Sequence, residues 1–489
     1  MKQRTAIFLL ALLLSVSSCA QDSDVETATE SSSQPDETSS SETEPVALHD
    51  NLPADLDFEG RELRILSSQS YSGYDASFHA ELVYESDGDV LNDAVYERNR
   101  TVMERFGITM TETAIPYQDA LSQTRANISA GDDAYDIISL VDRDALTLAT
   151  EGMIYYMDEL PHIDLSREYW NQTLNESMTI CDRNVLAYSD MVLTAYDFTH
   201  MLAFNSELIS ELSLESPYEL VERGEWTLDR FNEYIEAASM DLDGNTVYDE
   251  NDRYGFVSLA KQIAPCFWVA SDCLSIEKDS DDLPVFTMEN ERMLNVLQRA
   301  FDMTWNNNYW FVQPEGEYEV ECEMFAAGQA LFCNTNFGKL FGSIFRDSSI
   351  DYGIIPYPKY DEAQENYYSR VEGGNPYVVP VTVGDVEFAG AMLEALACES
   401  HNLVLPAYYD TALKQKYTRD ETSAEILDMI MAGRVYDFGD TFFCNYVRDG
   451  FVFRSFNNGT PIAASTIASN AASVETAIAN VVEAVTAAD

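Results

Sequence analysis

Basic residues are scarce in this chain. It has 489 residues, with 28 Lys and Arg against 85 Asp and Glu, a formal net charge of −57. Nucleic acid is excluded as a partner, because phosphate binding needs clustered cations. Anionic membrane surfaces and acidic polysaccharides are disfavoured for the same reason, and a hydroxyl-rich neutral solute fits such a surface better than an anionic sugar. Histidine is sparse too: His49, His79, His162, His200 and His401 form no metal-spaced pair. There is no HExxH, GxSxG or Walker loop, so no common catalytic motif is written in the chain. Carboxylates are so abundant that their pairing in sequence cannot argue for glycoside hydrolysis, which needs two at a set separation in space. No CxxC occurs among the eight cysteines, which removes zinc-knuckle and redox readings.

What is present begins with an address. "MKQRTAIFLLALLLSVSSCAQ" has a basic start (Lys2, Arg4) and an apolar stretch from about Ala6 to Val16, too short to span a membrane. It reads as a signal sequence over residues 1–18. "VSSC" resembles the lipobox of bacterial lipoproteins, which makes Cys19 the expected lipid-modified N-terminus. Seven cysteines remain after it, an odd number that leaves at least one free. Residues 19–57 follow as an acidic Ser/Thr-rich linker with too few large apolar groups to fold, and no Lys or Arg occurs between Arg4 and Arg61.

Beyond the linker the pattern is globular, with 46% hydrophobic and 12% aromatic residues. "RELRILS", "ITMTETAI" and "YDIISLV" read as strands. Between them lie helices over "DVLNDAVYERNRTVMERFG", with Asp89 as cap and Gly107 as stop, and over "YQDALSQTRANISAG". This β-α-β-α-β order predicts an α/β fold with a parallel, doubly wound sheet, whose ligands bind beyond the carboxyl ends of the strands. A second region contains helices at "GEWTLDRFNEYIEAAS", capped by Thr227, and at "MENERMLNVLQRAFDMTWNN".

Between these helices lies "DLDGNTVYDEND". Asp241, Asp243, Asn245, Val247 (through its carbonyl), Asp249 and Asp252 stand at spacing close to that of a calcium loop. Thr246 occupies the place that wants glycine, and Asp252 is shorter than the usual bidentate Glu. A strand follows where a paired helix would be needed. The loop is therefore expected to be a surface connection, held by Asx turns or by one structural calcium ion, with no cofactor required for function.

The ordered set "FGITMTET", "AGDDAYDIISLVD", "TAYDFTHMLAFNSELI", "GEWTLDRF", "MFAAGQALFCNTN", "YGIIPYPKYDEAQENYYS" and "GGNPYVVP" resembles the substrate-binding lipoproteins of bacterial ABC importers, in the oligosaccharide-binding class. The resemblance covers roughly residues 60 to 400. It implies a two-lobed periplasmic-binding-protein type II-like fold that closes about hinges on a small carbohydrate. Lobe one would comprise residues 58–200 and 365–400, and lobe two residues 201–364 and 401–489. The implied partners are ABC permease subunits and the outer face of the cell membrane, through the lipid anchor, with the receptor itself a monomer. Cleft loops would then present Ser67, Ser68, Asp142, Tyr196, Asp197, Asn334, Asn336, Glu372, Gly374 and Asn375. Trp268 and Trp310, in poorly patterned segments, are candidate stacking platforms, while Trp226 and Trp305 fall on helical patterns and read as core. A surface glycan-binding protein without a permease, and an extracellular glycosidase, remain alternatives at this level.

Overall fold

A computed structural model describes residues 47–69, 79–312, 319–412 and 421–487. The signal sequence, Cys19 and the linker as far as residue 46 lie outside the described residues. The first sheet grows from β1 (Glu62–Gln69), β2 (Thr109–Pro116) and β3 (Ile137–Ser139). β1 runs parallel to both neighbours, with Ile65 opposite Glu112 on one side and Ile137 on the other. The crossover helix Val90–Phe106 behaves as its sequence requires. Asp89 accepts hydrogen bonds from the Leu91 and Asn92 amides, Gly107 stops the helix at φ 61°, and Leu91, Val95, Val102 and Phe106 are buried.

The second sheet uses β4 (His200–Asn205), β5 (Tyr254–Ser258), β8 (Trp310–Val312), β9 (Ala330–Asn336) and β10 (Tyr352–Ile355), in the order β10-β4-β9-β5-β8. β5 is parallel to β8 and β9, whereas β4 is antiparallel to β9 and β10. Every residue of β4, β5 and β9 is buried, as expected for inner strands covered on both faces. A hairpin of β6 (Ile276–Lys278) and β7 (Pro284–Phe286) stands apart. The chain then passes through β11 (Ser369–Arg370) and returns to the first sheet as β12 (Tyr377–Val378), antiparallel to β3. β11 pairs with β13 (Arg434–Val435) from the C-terminal region. Among the described residues no helix is long and apolar enough to cross a membrane.

Two expectations change. The linker does not run free to residue 57. The Leu48 amide donates to Asn402 Oδ1 at 2.8 Å, Arg105 makes two bonds to Asp50 at 2.6 and 2.8 Å, and Leu52 is buried. Leu48, Leu52 and Leu56 provide the apolar surface that the Ser/Thr-rich part lacks. Nor does the region after residue 400 belong to lobe two alone. Residues 400–412 pack on the helix Val90–Phe106 of the first sheet. Further on, Tyr436 bonds Asp142 beside β3, while its neighbour Asp437 bonds Trp268 and Ser275 in the second half. The C-terminal region thus straps the two halves together.

Candidate functional site

Residues at the ends of the two sheets converge on Glu372, in the crossing segment between β11 and β12. Its Oε2 lies 3.1 Å from His200 Nε2 and accepts a hydrogen bond from Gln262 Nε2 at 2.9 Å. His200 opens β4, and Gln262 stands near the start of the helix Ala260–Ala270, just past the carboxyl end of β5. His200 Nδ1 is 3.1 Å from Asn334 Oδ1 on β9, which also accepts from the Tyr357 hydroxyl at 2.9 Å. The Asn334 amide nitrogen has no partner among the described residues. Arg370 lies behind Glu372 and is 1% exposed. It bonds Asp440 through Nε and Nη2, the latter at 2.9 Å, and Nη1 reaches the Gln262 side-chain oxygen. Arg448 Nη1 reaches Asp440 at 3.2 Å and Glu372 at 3.5 Å. Burial by itself would raise the Glu372 carboxyl. Arg370, His200 and Arg448 overcome it and hold the group well below the usual carboxylate range. Glu372 is therefore a fixed acceptor, not a proton donor.

The first sheet supplies Asp142, the first residue of the helix Asp142–Thr150 after β3. It accepts from the Tyr436 hydroxyl at 2.7 Å and the Tyr188 hydroxyl at 3.3 Å, and burial pushes its carboxyl up. Gly373 and Gly374 pass beside it, and the Asp142 amide donates to the Gly374 carbonyl at 3.1 Å. Gly373 has φ +147°, and a Cβ there would lie 2.7 Å from the Asp142 carboxylate. At Gly374 a Cβ would meet the Tyr188 ring at 2.9 Å. Asn375 completes the segment, its amide donating to Thr194 Oγ1 at 2.9 Å.

The structure therefore brings Asp142, Asn334, Glu372, Gly374 and Asn375 to one junction. The other predicted residues lie elsewhere or do other work. Ser67 Oγ donates to Glu112, and Ser68 Oγ is buried without a partner among the described residues. Asp197 accepts from the His79 amide at 3.0 Å and the Tyr408 hydroxyl at 3.0 Å, and Tyr196 donates to Asp190. Asn336 caps a short helix, accepting from the Lys339 amide. Neither proposed tryptophan platform offers a face. Trp268 is 0% exposed inside the helix Ala260–Ala270, its Nε1 donating to Asp437 at 2.7 Å. Trp310 is 3% exposed at the start of β8, bonded to the Ser258 carbonyl at 3.0 Å. Their segments look unpatterned because they are apolar on all sides, the mark of deep burial. Gln262 was within reach of the strand-end rule that selects Asp142. Asp440 and Arg448 carry no sequence signal, because they meet the site only through folding of the C-terminal region.

The acidic loop also resolves in part. Oxygens of Asp241, Asp243 and Asp252 lie within 4.8 Å of one another, but Asp249 does not join them. Asp241 accepts from the Gly244 and Thr246 amides, each at 2.7 Å, and Asn245 Oδ1 accepts from the Val247 amide at 2.6 Å. Both Asp252 oxygens accept amides, from Leu242 and Asp249 at 2.9 Å. The loop makes Asx turns of its own, and the three clustered carboxylates are close enough to share one cation. If calcium staples this loop, a chelator should lower the melting temperature without abolishing ligand binding; an unchanged melting temperature would leave the loop to its Asx turns.

No protein-family model matches the sequence, and no curated protein matches it. Solved structures do. The ABC substrate-binding protein Lmo0181 from Listeria monocytogenes, solved with cycloalternan, superposes with a TM-score of 0.55 at 12% identity, over 86% of this chain and 99% of that one. The maltose/maltodextrin-binding domain MalE from Bdellovibrio bacteriovorus, bound to maltotriose, gives 0.54 at 14% identity, over 85% and 99%. The chain has the fold of an ABC substrate-binding protein. UgpB from Mycobacterium tuberculosis, in complex with glycerophosphocholine, shares it at 15% identity with a TM-score of 0.53, over 81% and 97%. The substrate-binding fold thus serves more than one ligand chemistry, and the ligand class has to be argued from the junction. A hollow of about 270 Å³ lined by Glu250, Val320, Glu323 and Gln329 opens at the amino ends of β5 and β9. In a fold of this type that is the wrong end of the parallel strands for a ligand.

Proposed function

We propose that this protein is an extracytoplasmic receptor that binds a sugar or oligosaccharide between its two halves and hands it to an ABC permease. In this reading a lipid on Cys19 tethers a monomer to the outer face of the membrane, and the bound solute leaves unchanged. The observation that carries the reading is the junction at Glu372. There, Glu372 meets imidazole and amide groups at the strand ends of the second sheet, and the adjoining Gly373 and Gly374 pass beside Asp142 of the first, in the fold of proteins solved with cycloalternan and maltotriose. Such groups recognise hydroxyls, since an ionised carboxylate accepts and an amide both donates and accepts.

A thermal-shift screen over oligosaccharides, polyamines and peptides tests this. Sugars should raise the melting temperature and be recovered intact. Stabilisation by polyamines or peptides alone would overturn the substrate class, and turnover of the sugar would make the protein an enzyme.

A further inference from the structure

We infer that the junction takes a ligand bearing a negative charge, a carboxylate or a phosphate, held between Arg143 and Lys261. The inference rests on the junction being the binding site, and it reverses the expectation of a neutral solute drawn from the acidic composition. Arg143 is the second residue of the helix Asp142–Thr150, after β3. Lys261 is the second residue of the helix Ala260–Ala270, after β5. Each sheet therefore sends one cation to the junction from the carboxyl end of a strand.

Lys261 is unfavourably placed as the protein stands, since burial and then Arg448 disfavour its charge. A helix start carries partial positive charge, so a cation there is repelled and an anion attracted. Neither helix has a capping side chain, because Val141 and Leu259 occupy the cap positions. At Arg143 burial and Arg448 oppose the charge too, but its neighbours Cys444, Asp142 and Asp144 outweigh them. Most arginines of this acid-rich chain are gripped by carboxylates, Arg64, Arg183, Arg370 and Arg448 among them. Arg143 has no side-chain hydrogen bond among the described residues; its nearest carboxylate is its neighbour Asp144, at 3.9 Å. Lys261 stands 3.6 Å from Asp449, whose oxygens already accept from Arg448 at 3.0 and 3.2 Å. The two side chains keep 29% and 36% of their surface in solvent, so a ligand can reach them. An anion between them would offset the cost of burying the Lys261 charge and give both side chains charge-assisted hydrogen bonds.

The experiment is calorimetry on the full chain with matched probes: trigalacturonate against maltotriose, glucose 6-phosphate against glucose, and inorganic phosphate alone. At low salt an acidic member should bind at least about tenfold more tightly than its neutral counterpart, and added salt should narrow the gap. Arg143→Gln and Lys261→Gln should each narrow it roughly tenfold. The uronate and phosphate arms decide which anion is taken. Ligand-free melting temperatures of both variants should be unchanged or higher; a fall of several degrees would make the cations structural and overturn the inference. Neutral sugars binding as well as acidic ones would overturn it too, while the sugar reading stands. Phosphate binding that needs both cations, with no sugar bound, would sink the sugar reading and keep the anion site.

Discussion

Arg370→Met is expected to destabilise the protein by roughly 3–5 kcal/mol, the usual loss when one partner of a buried ion pair is removed. Arg370 and Asp440 are 1% and 0% exposed in their side chains, and two guanidinium nitrogens of Arg370 face the two carboxylate oxygens. Methionine can follow the aliphatic stem, so packing is largely kept and the lost charge dominates. Asp440 would keep Arg448, at 3.2 Å, and Glu372 would lose the largest of the three influences that keep it ionised, retaining His200 and Arg448. The pair also joins β11 to the C-terminal region, so the strap across the two halves loosens with it. Thermal and urea unfolding measure the loss. Arg370→Met combined with Asp440→Leu should recover most of it, because no charge is then left buried alone. A single variant that melts with the wild type would mean the pair does not hold the strap.

Trp268→Ala should cost a similar amount, about 3–5 kcal/mol, for a different reason. The indole is fully buried in the helix Ala260–Ala270, and its removal opens a cavity that this helix and the strap cannot both fill. Its Nε1 is also one of the donors that keep Asp437 in place, beside Ser275, whose amide donates at 3.0 Å and whose hydroxyl donates at 2.8 Å. Burial pushes the Asp437 carboxyl up to about 6, so it can ill lose a donor. Trp268→Phe separates the two effects. It keeps most of the volume and should lose about 1.5–3 kcal/mol, the cost of one unmade bond to a charged group. Ligand-induced stabilisation should survive in Trp268→Phe. A variant that kept full stability but no longer bound ligand would return Trp268 to the role of stacking platform.

Helix ends were the most legible parts of the fold. Asp89, Gly107 and Thr227 act through their own backbone neighbourhood, and each caps or stops the helix that the spacing predicts. The first sheet was legible for the same reason, since parallel strands joined by crossover helices impose one connectivity. The candidate site was legible only in part. Asp142, Asn334, Glu372, Gly374 and Asn375 were chosen because strand ends and a Gly-Gly turn mark where backbone can approach a ligand, and folding sets these five at one junction. The tryptophans misled because an apolar segment without periodicity looks the same whether it is deeply buried or lines a pocket.

The sequence by itself determined the acidic composition, the order of strands and helices in the first sheet, and the absence of common catalytic motifs. These are local or summed properties that need no knowledge of distant contacts. Only the tertiary structure decided that Arg370 meets Asp440 seventy residues on, that Tyr436 closes over Asp142, and that Arg143 and Lys261, on helices after strands of different sheets, both feel the charge of Arg448. Electrostatics is the physical reason. A net charge of −57 is a sum over the chain, whereas a binding site feels the few charges nearest to it, and folding chooses those.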